Sequence, residues 1–161
     1  PLYKRGYVRE GYETISSIYE HCIDFEKSRI YPGIPEYMNE KGRGMYSYLT
    51  GAASWLIITL LCESYGVNGD MGDIEIEPKL LKDQFDSFGR TSVNTIFAGR
   101  KLNIIYSNDE KLEYGDYSIK EADVDDTKID APEKYRVVIK RSMIEKLDQN
   151  KTHDIVIKLG R

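Results

Sequence analysis

Ala52-Ala-Ser-Trp-Leu-Ile-Ile-Thr-Leu-Leu-Cys62 is the stretch on which the fold turns. Its one Ser and one Thr leave no polar side, so as a helix it is apolar all round and has to be enclosed by other elements. It has about half of the ~20 residues that a membrane-spanning helix needs, which favours a buried helix of a water-soluble domain. A few residues on comes Gly66-Val-Asn-Gly-Asp-Met-Gly72, a turn-rich hinge whose first glycine suits a helix C-cap. The pattern is helical before this hinge and β after it.

Upstream, Tyr12, Ile15, Tyr19 and Cys22 recur at helical spacing, with Ile18 and Phe25 widening the face, and predict a helix over residues 11–25. Residues 28–43 hold two prolines and two glycines, which rules out a continuous helix and leaves a long loop. The apolar helix then runs from Tyr46 or Thr50 to Tyr65. Two helices cannot enclose it alone. Together with the start at Pro1 rather than Met, this makes the chain read as the end of a larger helical domain followed by a β domain.

Downstream, Ile74 and Ile76 alternate with acidic residues. Residues 93–98 and 102–107 form a hairpin about Gly99-Arg100, with Leu102, Ile104 and Tyr106 on one face. Residues 112–117, 135–139 and 155–159 are further short strands. Residues 123–130 are an acidic solvated loop, and residues 142–149 a short helix. Short strands separated by turn signals suggest an antiparallel sandwich, so the fold class is α+β.

Composition narrows the function classes. The 23 Lys+Arg against 27 Asp+Glu give a net charge of −4, which argues against nucleic acid or an anionic membrane as partner. Cys22 and Cys62 fit core thiols of a reducing, cytoplasmic compartment. His21 and His153 have no second ligand at metal spacing, so no metal site is expected. The 13 tyrosines suit sugar sites, wet interfaces and sheets. Tyr31, Tyr37, Tyr46 and Tyr48 cluster in the loop region, whereas Tyr106, Tyr114, Tyr117 and Tyr135 read as sheet residues.

Two segments could carry chemistry. Thr50 and Gly51 open the apolar helix, where free N–H groups and the positive dipole end favour anions and Gly51 leaves the backbone open. Lys41 and Arg43 lie just upstream. The alternative is that Thr50 is an N-cap and the small residues serve packing. In the loop, Glu36 lies between Pro35 and Tyr37, an arrangement that can grip a sugar through its hydroxyls and its C–H face. The alternative is an ion pair with Arg29 or Arg43. No complete acid–base pair is present, so no catalytic residue is assigned in this chain.

The same segments carry a resemblance. Tyr-Pro-Gly-Ile-Pro-Glu-Tyr37 and Gly-Arg-Gly-Met-Tyr-Ser-Tyr-Leu-Thr-Gly-Ala-Ala-Ser-Trp55, continued by Tyr65-Gly-Val, Ile76-Glu-Pro-Lys-Leu and Phe97-Ala-Gly-Arg-Lys-Leu, resemble the C-terminal part of the cellobiose-phosphorylase-like enzymes, glycoside hydrolase family 94. The likeness covers about residues 10–120 and leans toward the members that act on β-1,2-glucans. It implies an inverting phosphorylase that splits β-glucosides with inorganic phosphate to give α-glucose 1-phosphate. It implies an (α/α)6 barrel ending in residues 1–66, then a β-sandwich over residues 67–161.

On this resemblance Thr50 and Gly51 contribute to the phosphate site, with Glu36, Tyr37 and Arg43 as candidate sugar or anion contacts. The family's general acid and phosphate-side His lie upstream of the matched region, and His21 is not assigned that role. Phosphate is itself the nucleophile, so no organic cofactor or metal is expected. The expected partners are a β-glucan oligosaccharide, phosphate, the remainder of a parent enzyme and, through the apolar helix, a second copy. Alone, the chain should be inactive. The rival is a non-catalytic carbohydrate-binding or structural β module.

Overall fold

The computed structural model describes residues 1–30, 32–46, 51–129 and 133–161, and the chain divides into two compact units, Pro1–Ser64 and Tyr65–Arg161. The architecture is α+β, with the described helices of more than four residues in the first unit and the main sheets in the second.

In the first unit, the helical spacing read from sequence gives α1, Val8–Ile23. Gly11 is buried in it because Tyr3 lies across this turn: an added Cβ would come 2.8 Å from the Tyr3 ring. The helix stops at Asp24, whose carboxylate caps α2, Phe25–Ser28, by accepting the Lys27 N–H at 3.3 Å. Ser28 is fully buried and its hydroxyl donates to the Cys22 carbonyl at 3.0 Å, sealing the junction.

The long loop contains a small antiparallel ribbon, β1 (Tyr37–Met38) paired with β2 (Gly44–Met45). Asn39 builds its turn, accepting the N–H groups of Lys41 and Arg43 at 2.9 and 3.0 Å. His21 Nε2 donates to the Gly42 carbonyl at 2.6 Å and ties the ribbon to α1.

The apolar helix is α3, Gly51–Ile58, continued as a π-helical segment, Thr59–Ser64. The change of pitch begins where the Thr59 hydroxyl donates to the Trp55 carbonyl at 2.7 Å, a back-bond that disturbs the α ladder. No residue of α3 is buried. Trp55 is 69% exposed and Ile57 64%, although the sequence asks for enclosure on every side.

The second unit corrects several expectations. The turn-rich segment after Gly66 is a hairpin rather than a hinge: β3 (Val67–Asp70) pairs antiparallel with β4 (Asp73–Ile76) about Met71 and Gly72, both at positive φ. β5 (Arg90–Phe97) and β6 (Arg100–Ser107) form the expected hairpin, with the turn at Ala98-Gly99. Residues 112–117 hold turns and no strand.

The acidic segment is not simply a loop. Asp123 and Val124 end β7 (Ser118–Val124), which turns at Asp125-Asp126 into β8 (Thr127–Lys128). β9 is Val137–Ile139, α4 is Arg141–Ile144, and β10 is Thr152–Gly160. Of the tyrosines read as sheet residues, Tyr106 lies in a strand and Tyr114, Tyr117 and Tyr135 do not.

The larger sheet has the order β5-β6-β10-β7-β8 and the smaller one β3-β4-β9. Every described pair is antiparallel except β6–β10, which runs parallel from Thr152↔Lys101 to Lys158↔Ser107. That parallel pair departs from the antiparallel arrangement expected throughout. Strand alternation supplies the core: Leu102, Ile104 and Tyr106 from β6, Ile155 and Ile157 from β10, Ile74 and Ile76 from β4, Val137 and Ile139 from β9. In β7 the register shifts opposite Lys158/Leu159, so Ile119 and Ala122, three positions apart, both point inward.

Candidate functional site

The ribbon and α3 define the sides of a groove in the first unit. Its volume is about 450 Å³, and it is lined by Ile15 and Ile18 of α1, by Pro35, Glu36, Tyr37 and Met38, and by Ala52, Trp55, Leu56 and Thr59. The chain takes this path because Gly44 lets β2 approach: a Cβ there would sit 3.0 Å from both Ile30 and Pro35.

The predicted site residues fall as follows. Glu36 and Tyr37 line the groove together with α3, and both are exposed. The Glu36 carboxylate has no ion pair among the described residues, and Arg29 pairs instead with Glu26 at 2.9 Å. The structural alternative for Glu36 through Arg29 is thereby replaced. Gly51 is exposed at the first turn of α3, and among the described residues a Cβ there would meet nothing nearer than Trp55 at 3.8 Å. Arg43 sits at the ribbon's turn, with its carbonyl accepting the Asn39 N–H at 3.0 Å, and does not line the groove. Thr50, Tyr31 and Tyr48 lie outside the described residues.

Burial pushes the Cys22 and Cys62 thiols above their usual range, which keeps them protonated and poor nucleophiles near neutral pH. No group of three or more His, Cys, Asp or Glu able to hold a metal occurs among the described residues. None of the described helices is long and apolar enough to cross a membrane.

Sequence reasoning assigned nothing to His153, which is 5% exposed on the inner face of β10. Its Nδ1 lies 2.5 Å from the Asp125 carboxylate and its Nε2 2.8 Å from the Asp148 carbonyl. With an acceptor facing each nitrogen, the surroundings favour the doubly protonated ring, which can donate to both. The hydrogen bond to Asp125, then that to Asp148, raises its pKa above the ordinary value against the opposing effect of burial. A raised folded-state pKa contributes stability that is complete below about pH 6.5 and is lost as pH rises through the folded value. We therefore expect the urea midpoint of the chain to fall over that upper interval, and His153→Gln to flatten the fall. A variant that kept the wild-type slope would contradict the assignment. No local signal could have found this cluster, because its members come from 28 and 5 positions away.

The chain matches no protein-family model and no curated protein.

Proposed function

We propose that this chain is the C-terminal part of an inverting glycoside phosphorylase and supplies one wall of its phosphate site. The observation that carries the reading is the display of α3. A helix with Trp55 69% and Ile57 64% exposed forgoes roughly 1.5–3 kcal/mol for each large apolar side chain left in water. Such a face fits the last helices of an (α/α)6 barrel whose other helices cover it, followed by a sandwich domain with its own core. The exposed Gly51 and the groove bearing Glu36 and Tyr37 lie in the segment that resembles the phosphate and sugar end of that enzyme family.

In this reading a phosphate oxygen attacks the anomeric carbon from the face opposite the scissile bond. The glycosidic C–O bond breaks, the new C–O bond to phosphate forms with inversion, and an acid on another part of the enzyme gives its proton to the leaving oxygen. Thr50 and the Gly51 amide hold phosphate oxygens in line, which serves positioning and charge stabilisation. Glu36 and Tyr37 face the sugar, whereas Arg43, held at the ribbon turn outside the groove, is left without a role in it. Phosphate is the nucleophile, and the chemistry calls for no organic cofactor or metal.

The test is Thr50→Val in the full enzyme. Losing a phosphate contact should raise KM for phosphate by about tenfold, equivalent to about 1.4 kcal/mol, and leave KM for the glucan nearly unchanged. Equal changes in both constants would count against the role.

A further inference from the structure

The second unit holds a recess of about 260 Å³ walled by Glu77, Pro78, Tyr114, Gly115, Tyr117 and Tyr135. Its parts are fixed in different ways. Tyr117 is buried, and its hydroxyl is consumed by the protein: it accepts the Leu80 N–H at 2.8 Å and faces the carbonyls of Leu80 and Pro78 at 3.0 and 3.3 Å. What it offers a ligand is ring surface. Tyr114 stands edge-on to it, with centroids 6.2 Å apart and planes at 76°. Tyr135 is 48% exposed at the mouth. Gly115, at φ +99, leaves open space where a Cβ would stand.

The lining residues also include polar ones. The Tyr114 and Tyr135 hydroxyls have no hydrogen-bond partner among the described residues. Burial raises the Tyr114 hydroxyl's pKa, and the neighbouring Glu77 carboxylate and Tyr135 add to the shift. The recess thus combines apolar ring surface with two unused hydroxyls and a carboxylate, a pairing suited to a molecule with C–H faces and several hydroxyls.

Charge decides between the two ligand classes that tyrosines and a glutamate could serve. Such a cage can hold a quaternary ammonium. Here, however, the Glu77 carboxylate lies 3.8 Å from the Lys79 ammonium, and the Arg136 cation feels its charge as well. The Lys134 ammonium sits 4.8 Å from the centre of the Tyr135 ring. A cationic ligand would meet these cations, whereas a neutral polyol would not. The volume lies just under that of sites for drug-sized ligands, which points to one ring rather than a chain.

We propose that this recess binds a single pyranose ring of a neutral glycan. The proposal does not rest on the phosphorylase reading, because every residue of the recess belongs to the second unit.

The experiment is a titration of the isotopically labelled full chain, followed by its amide spectrum. The probes are the methyl glycosides of glucose, galactose, mannose and N-acetylglucosamine, then cellobiose, with choline chloride and inorganic phosphate in parallel. We expect saturable shifts at Tyr114, Gly115 and Tyr117 with at least one sugar, at millimolar affinity, and none there with choline or phosphate. Tyr135→Ala should weaken that binding about tenfold, equivalent to about 1.4 kcal/mol. Glu77→Gln, which keeps the side-chain shape, serves as a second variant and should weaken it as well. Absence of sugar shifts at these amides, shifts with choline in place of sugar, or sugar affinity unchanged in both variants would each overturn the proposal.

Discussion

Gly66→Ala is expected to destabilise the second unit by at least about 3 kcal/mol, a large part of the roughly 5–15 kcal/mol that holds an ordinary domain folded. Two effects add. Gly66 has φ +74, where an L side chain is strained, and its Cβ would lie far inside van der Waals contact with the Glu77 carbonyl carbon and oxygen. Glu77 cannot move away, because its N–H donates to the Gly66 carbonyl at 3.0 Å and so extends the pairing of β3 with β4. Gly99→Ala is the control. Gly99 has the same φ of +74 but nothing within 4 Å of the added atom, so its cost should be strain alone, about 1–2 kcal/mol. Urea midpoints of the two variants should differ clearly. Equal midpoints would show that the close approach at Gly66 does not hold the hairpin in place.

The second large effect is expected at Tyr106. The residue is fully buried on β6, its ring lies 5.8 Å from that of Tyr65, and its hydroxyl donates to the Tyr65 carbonyl at 2.6 Å. Burial pushes this phenol well above its ordinary pKa, so it remains a neutral donor across the working range. Tyr106→Ala empties the centre of the core and should cost about 3–5 kcal/mol. Tyr106→Phe keeps the volume but strands the Tyr65 carbonyl, at about 1–2 kcal/mol. The ratio of the two separates packing from the hydrogen bond. A Phe variant as destabilised as the Ala variant would place the energy in the hydroxyl instead.

The parts of the fold legible in the sequence are those written locally. Leu102, Ile104 and Tyr106 alternate strictly, and β6 buries all three. The Tyr12, Ile15, Tyr19 and Cys22 spacing gave α1, although Tyr19 remains 55% exposed because its face is not fully covered within the unit. The hairpin of β3 and β4 was hidden by its composition, since Asn68, Gly69 and Asp70 read as turn residues. The pairing of β6 with β10 was hidden by distance: its partners lie about 51 positions apart and nothing local specifies a parallel neighbour. In β7 the bulge breaks the alternation that would have marked the strand.

The candidate sites divide in the same way. Glu36 and Tyr37 were legible because a proline-bounded carboxylate beside an aromatic ring is a local pattern, and both line the groove. Arg43 was grouped with them by nearness in sequence, but the Asn39 turn holds it at the end of the ribbon. The recess between Glu77 and Tyr135 could not be read, because its tyrosines come from irregular connecting segments rather than from the strands expected of them.

We propose that this chain belongs to an enzyme that uses phosphate, not water, to open a β-glucoside. The decisive measurement incubates the full-length gene product with β-1,2-linked glucose oligomers, with and without inorganic phosphate. The anomeric form of the product is then read by NMR. The expected product is α-glucose 1-phosphate, formed only when phosphate is present. Release of free glucose independent of phosphate, or no turnover of any β-linked glucose oligomer, would contradict it.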